Sequence, residues 1–228
     1  MRPWTLLPYL CEEFHKPVPE LKRVPDSTVR RLSLYLGFLE ELEQRGEATV
    51  SSDVLARLGG TTSAQVRKDL SIFGSFGKRG LGYFVPELTI SLREILGLGR
   101  DWHVLIVGAG KIGLALAQYP GFREKGFHVS ALYDASPAKI GTTLNSIRVR
   151  DVKQLREDAR SEHFDIGVIA VPAERAQIVA DTMVAADIKA IMNFAPAQIT
   201  VPADVVTRTV NMGLEFEALS FALANLTK

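Results

Sequence analysis

Apolar residues fall into two rhythms along this chain. Behind Pro25 they recur at three- and four-residue intervals, Leu32, Tyr35, Leu36, Leu39 and Leu42. That spacing predicts a helix capped by Asp26 or Ser27 and ended by Gly46. From Trp102 onward the pattern changes to short, nearly continuous apolar runs. These are His103 to Val107, His128 to Tyr133, Phe164 to Val171, Ile188 to Asn193 and Val205 to Val210, with a weaker run at Ile147 to Val149. Runs of this length suit strands buried on both faces. Helical stretches separate them, among them Val152 to Asp158 and Glu174 to Ala186. Strands alternating with helices predict a doubly wound parallel sheet. Between the two regions, Pro86 to Gly99 reads as a connector with a short helix carrying Ile90, Leu92, Ile95 and Leu96.

The first region holds more than one helix. Ser51 or Ser52 can cap a short second helix, Asp53 to Leu58, stopped by Gly59-Gly60. Thr62-Ser63-Ala64-Gln65 has the form of a capping box for a third, which Gly74 closes. Two short helices joined by a glycine turn behind a longer one predict a helix-turn-helix. On the third helix Val66, Leu70 and Phe73 share the face expected to enter the core. Ser63 opens it, and Ala64, Arg67, Lys68 and Ser71 gather on the opposite side. Small, hydroxyl and basic residues together suit a helix that enters a major groove. Asp69 lies off that face and is expected to partner a nearby base. The next stretch, Ser75 to Val85, places glycines around Lys78-Arg79-Gly80 between aromatic and apolar residues. It predicts a β-hairpin with a basic tip, and thus a winged helix.

Net charge bears on this only locally. The 228 residues carry +1 in total, yet Arg57 to Val85 holds five basic residues against one acid, Asp69. A basic face is therefore hidden within a neutral whole. With 46% hydrophobic residues the chain can build one or two real cores. No apolar run approaches the roughly 18 residues of a membrane span. Cys11 is the single cysteine, which excludes a disulfide framework within the chain and fits a reducing cytoplasm. The first residues lack the pattern of a signal peptide. His15, His103, His128 and His163 are scattered and form no ligand spacing with Cys11, so no metal site is expected.

The chemistry concentrates at Trp102 to Gln118. A strand breaks into Gly108-Ala109-Gly110-Lys111-Ile112-Gly113 and continues as a helix. In this G-x-G-x-x-G turn the first glycine allows a tight bend. The second lets a pyrophosphate approach the backbone, and the third lets helix and strand pack closely. The helix start offers free N–H groups and the positive end of its dipole. The next strand ends in Asp134, about 20 residues past the last glycine, the separation at which a carboxylate meets the adenosine ribose. Lys139 follows as a counter-charge. Ala170-Val171-Pro172 and Asn193-Phe194-Ala195-Pro196 sit at strand ends and are expected to line the nicotinamide side. The same turn also fits a fold that binds another adenine nucleotide, such as coenzyme A, or none.

The last helix, Gly213 to Leu226, carries two apolar stripes. Leu214, Ala218, Phe221 and Ala222 form one; Phe216, Leu219, Leu223 and Leu226 form the other. One domain surface cannot bury both, which predicts a dimer with this helix between subunits. The alternative is an intrachain helix. The expected organisation is an irregular extension over 1–25, a winged-helix domain over 26–86 and a connector over 87–100. A Rossmann domain over 101–210 and a dimerisation helix over 211–228 complete it.

Taken in order, these residues resemble the Rex family of redox-sensing transcriptional repressors. The resemblance covers about residues 25 to 226. It is carried by Gln65 to Ser71, Gly80-Leu81-Gly82-Tyr83, Gly108 to Gly113, Tyr119-Pro120-Gly121-Phe122, Asp134 with Pro137, Lys139, Ile140 and Gly141, and Asn193 to Pro196. It implies a homodimer with swapped C-terminal helices, a Rossmann domain that binds NAD+ and NADH, and an N-terminal domain that binds double-stranded operator DNA. It implies release from DNA when NADH binds, and Tyr119 is expected among the cofactor-site residues. The chain departs from the family at two positions. An arginine often found on the first helix is Gly37 here, and an aspartate often found before the swapped helix is Asn211. The resemblance implies that this pair helps hold one quaternary state, so the switch here would rest on other contacts, such as a neutral hydrogen bond between Tyr119 and Asn211. Gly37 inside a helix also suggests close packing at that point.

Two other functions fit parts of the pattern. A dehydrogenase would need a substrate pocket and an acid or base beside the nicotinamide. The roughly 90 residues after Asp134 only complete the sheet, so no catalytic residues and no enzyme activity are expected. A repressor sensing a different adenine nucleotide is the other.

Overall fold

The computed structural model describes residues 24–78 and 80–226. The expectations for most of the N-terminal extension, for Cys11 and His15, and for Arg79 fall outside the described residues. The chain divides into two compact units between Gly97 and Leu98.

The first unit contains α1 (Asp26–Gln44), β1 (Thr49–Val50), α2 (Ser52–Leu58), α3 (Ser63–Ser71), β2 (Tyr83–Phe84) and α4 (Val85–Ile95). Leu32, Tyr35 and Leu39 of α1 are fully buried with Leu55, Val66 and Leu92, so each helix turns one apolar face inward. Ser51 caps α2 by accepting from the Val54 N–H, and Thr62 caps α3 by accepting from the Gln65 N–H. Only half of the expected capping box forms. The Gln65 amide donates to Asp69 at 2.8 Å instead of returning to the cap.

Two further expectations are corrected here. In place of the predicted hairpin over 75–85, the described residues show one bridge, between Lys78 and Gly82. The strand that follows, β2, pairs antiparallel with β1 instead, Val50 opposite Tyr83 and Thr49 opposite Phe84. The glycine at position 82 lets the backbones of β1 and the turn approach closely. A side chain on Gly82 would overlap the Val50 carbonyl oxygen. The predicted linking helix also proves to be integral. As α4 it packs against α1 and buries Val85, Leu88 and Leu92.

The second unit contains β3 (Trp102–Val107), α5 (Lys111–Gln118), α6 (Pro120–Glu124), β4 (Phe127–Asp134), β5 (Thr143–Leu144), β6 (Ile147–Asp151), α7 (Leu155–Ser161), β7 (Ile166–Ile169), α8 (Ala173–Ala185), β8 (Ala190–Asn193), β9 (Val206–Thr209) and α9 (Met212–Leu226). The seven-stranded sheet runs β5-β6-β4-β3-β7-β8-β9. All neighbours are parallel except β5, which turns back antiparallel on β6. Counting the parallel strands in chain order gives 3-2-1-4-5-6, the dinucleotide-binding order, with its switch point between β3 and β7. β3 serves both faces by simple alternation. Leu105 and Val107 enter one core with Tyr133, Ile169 and Met183, while Val104 and Ile106 enter the other with Leu132 and Val168. The apolar side chains of α9 stand exposed, Phe221 at 73% and Leu226 at 79%.

Candidate functional site

At the switch point the three glycines of the turn do three different things. Gly108 has φ +111°, and a side chain there would strike the Ala170 carbonyl at the end of β7. A side chain on Gly113 would overlap the Gly108 carbonyl oxygen. Gly110 faces open space, with nothing within 4 Å of a β-carbon. No side chain caps α5, so its first N–H groups face that space. The turn can therefore receive a phosphate at Gly110 against Lys111, Ile112 and Gly113. Val171 is brought against Gly108, its Cγ1 3.1 Å from the position of such a β-carbon, and Pro172 starts α8 beside it.

Asp134 closes the site from β4. Its Oδ2 accepts from the Ala109 N–H at 2.8 Å and from the Lys139 ammonium at 2.9 Å, and its Oδ1 accepts from the Ser136 N–H at 2.8 Å. Burial opposes the charge, but the two N–H groups and the ammonium outweigh it and hold the carboxyl below the usual carboxylate range. A carboxylate offers about four lone-pair positions and three are in use, so one remains for a ribose hydroxyl. Ser136 escaped the sequence reading, although an aspartate bonding two residues onward is a common local turn.

Three further expected site residues make contacts of their own within this chain. Asn193 is fully buried, its amide donating to the Ala197 carbonyl at 2.7 Å and its oxygen accepting from the Ala195 N–H at 2.9 Å. These bonds pin the loop after β8. Phe194 lines an apolar hollow of about 210 Å³ with Leu116, Phe122, Val168 and Met192. Tyr119 lies beyond the far end of α5, whose eight residues span about 12 Å. It packs edge-on to Phe122.

On the first unit, α3 turns Val66 and Leu70 inward and leaves Ala64, Arg67, Lys68 and Ser71 exposed, as its periodicity predicts. Ser63 is half-buried and donates to Asp53. Arg67 donates to the Ser52 hydroxyl at 2.9 Å. Lys78 and Gly80 are exposed on the turn. Arg67, Lys78 and Leu81 line one cleft of about 590 Å³.

Behind this face, Asp69 is buried and receives bonds from four side chains. Arg31 donates through Nε at 2.6 Å and Nη2 at 2.8 Å, Gln65 at 2.8 Å, Tyr35 at 3.2 Å and Thr28 at 3.4 Å. Burial would raise its pKa, but Arg31, Gln65 and Tyr35 together lower it. Burial and the neighbouring carboxylate push the Tyr35 phenol up to about 12. The structural role expected of Asp69 is met. Its base, Arg31, was not foreseeable, because the two are 38 positions apart on different helices.

Two family models match the chain. One, described as a CoA binding domain, covers residues 99–197, and one described as a putative DNA-binding protein N-terminus covers residues 23–71. The redox-sensing transcriptional repressor Rex of Desulfitobacterium hafniense is 44% identical over 199 residues, 87% of this chain and 95% of the relative. That of Carboxydothermus hydrogenoformans is 46% identical over 199 residues, 87% and 96%. This chain belongs to the Rex family. Solved structures of RSP, a Rex-family repressor, share its fold. RSP in complex with β-NAD+ and operator DNA has a TM-score of 0.85 at 36% identity, covering 90% of this chain and 94% of RSP. RSP in complex with β-NADH has a TM-score of 0.83 at 35% identity, covering 90% and 96%. As a Rex-family chain it combines an N-terminal helix-turn-helix unit with a C-terminal Rossmann unit. Among its described residues no helix is long and apolar enough to cross a membrane, and no cluster of side chains could hold a metal.

Proposed function

We propose that this Rex-family chain is a cytoplasmic, homodimeric repressor that binds operator DNA and reads the NADH/NAD+ ratio. The observation that carries the proposal is the pairing, in one chain, of two built surfaces. One is the open phosphate seat at Gly110 with Asp134 at the end of β4. The other is the exposed face of α3, with Arg67 and Lys68, beside Lys78 on the turn. The residues at the seat fit NAD(H). The bare Gly110 and the uncapped α5 receive the pyrophosphate, Asp134 holds the adenosine ribose, and Val171-Pro172 flank the nicotinamide. Arg67, Lys68, Lys78 and Arg79 supply the charge that engages the duplex. The apolar surface of α9 supports a dimer in which this helix is exchanged between copies.

NADH can shift such a dimer only by binding one of its arrangements more tightly than the other. In this reading the chain turns over no substrate, and its own residues only orient the cofactor and transmit that preference. The test is titration of a fluorescent operator duplex with and without saturating NADH. Tight binding that NADH relieves supports the proposal, and binding indifferent to NADH overturns the sensor. The matched CoA-binding model favours a second reading, a repressor that senses another adenine nucleotide. Calorimetry with NADH, NADPH and acetyl-CoA separates the two, and a turnover assay with NADH and carbonyl compounds tests for catalysis.

A further inference from the structure

We infer that Leu81 is a specificity-determining wedge, an apolar side chain that enters the minor groove of the bound duplex beside the α3 contact. The inference rests on the DNA-binding reading above. Leu81 is 69% exposed, more than any other large apolar residue described in the first unit. Single exposed leucines are ordinary; what sets this one apart is how it is held. The turn beneath it is closed by three backbone bonds. The Lys78 N–H reaches the Gly82 carbonyl at 2.9 Å, and the Leu81 and Gly82 N–H groups both reach the Lys78 carbonyl at 3.1 Å. Gly77, Gly80 and Gly82 all have φ near +80°, where a side chain would strain the turn. The base is also packed against its neighbours, since a β-carbon on Gly77 would fall 2.8 Å from Tyr83 Cδ1 and one on Gly82 would overlap Val50. At the tip Gly80 meets nothing within 4 Å. The turn thus presents a mostly exposed leucine, flanked by glycines that let another backbone come close.

Its position supplies the second argument. Leu81 lines the same cleft as Arg67 of α3 and Lys78 of the turn, so the leucine and both cations face one concavity. The acid in that cleft, Asp53, accepts a hydrogen bond from Ser63. Leucine is among the residues that wedge base steps apart in the minor groove and kink the duplex. The energy of that deformation depends on the sequence deformed, so preference arises at positions that no polar group reads. Flexible pyrimidine–purine steps at the turn's positions are the sequence such a wedge selects.

The probe is the duplex that the natural chain recovers from a random pool, compared with the same duplex carrying G·C-rich steps at the flanks. Leu81→Ala should bind the recovered duplex about tenfold more weakly and lose its preference between the two duplexes. It should leave the salt dependence unchanged, whereas Lys78→Ala should reduce the salt slope by about 1. The thermal midpoint should move little, because the side chain is mostly exposed. Leu81→Met, a slimmer wedge, should recover most of the preference. Leu81→Ala with affinity and flank preference both kept would overturn the wedge while leaving DNA binding intact. Recovery of no duplex by the natural chain would overturn the DNA-binding reading and the wedge together.

Discussion

At the scale of single residues, two buried aspartates make the sharpest predictions. Asp134→Ala should weaken NADH binding and narrow the gap to NADPH, because the carboxylate bonds a free 2′-hydroxyl and repels a 2′-phosphate. Lys139→Ala should widen the gap, since its ammonium 2.9 Å from Asp134 offsets that repulsion. Calorimetry with both cofactors measures each change, and unchanged affinities would remove these residues from the site. Asp69 concerns stability. Its carboxyl ionises below the unfolded value of about 3.9 when the chain is folded. Its contribution is therefore complete above the unfolded value and is lost as pH falls through the folded one. Asp69→Asn should lower the unfolding midpoint near neutral pH, and the deficit should shrink in acid. Removing Asp69 outright should cost about 3 kcal/mol, the lower end for a buried pair because Arg31 keeps a quarter of its surface in water. At this scale the sequence showed which residues carry charge at which separation, and so Asp134 and the basic face of α3 were legible. It could not show where an amide points. That the Asn193 amide bonds the Ala197 carbonyl and the Ala195 N–H depends on how its loop folds back, which no spacing displays.

At the scale of elements, periodicity carried the long helices and the buried strands, because their neighbours repeat the signal. It failed for β1, β2 and β5, which are two residues each and have no period to read. Their partners are set by backbone geometry, as when Gly82 admits Val50 and redirects β2 from the predicted hairpin. Gly37 also turns out differently. The close packing expected there is absent, with nothing within 4 Å of a β-carbon. Gly37→Ala should therefore raise stability by about 0.5–1 kcal/mol, read from urea unfolding. A loss instead would place another chain against that face. On α9, Leu219→Glu with Leu223→Glu should turn the proposed dimer into a monomer in sedimentation, since both leucines are exposed within one copy; a natural chain that sediments as a monomer would overturn the dimer.

At the scale of the whole molecule, the two departures from family pattern bear on how completely a ligand can switch it. Asn211 accepts from the Gly213 N–H at 2.9 Å and so caps α9, a task that an aspartate would also perform. With Gly37 in place of an arginine, the charge pair implied by the resemblance is missing, and we propose that the difference in affinity NADH can exploit is smaller for it. NADH at saturation should thus leave residual operator binding, which Gly37→Arg with Asn211→Asp should remove; full release by the natural chain would overturn this. The large sheet has a last consequence, for solubility. One of its borders is β5, which turns back on β6 through Asn145 and Ser146, both at positive φ, and with two residues offers little edge to pair with. The other border is β9, which has a strand neighbour on one side only and leaves Val206 60% exposed. A border of that kind invites a strand from another molecule, and natural proteins blunt it with short length and positive charge. Here β9 has four residues and carries Arg208. Val206→Lys should slow clumping on heating without moving the unfolding midpoint, which would make this border, rather than the core, the origin of loss from solution.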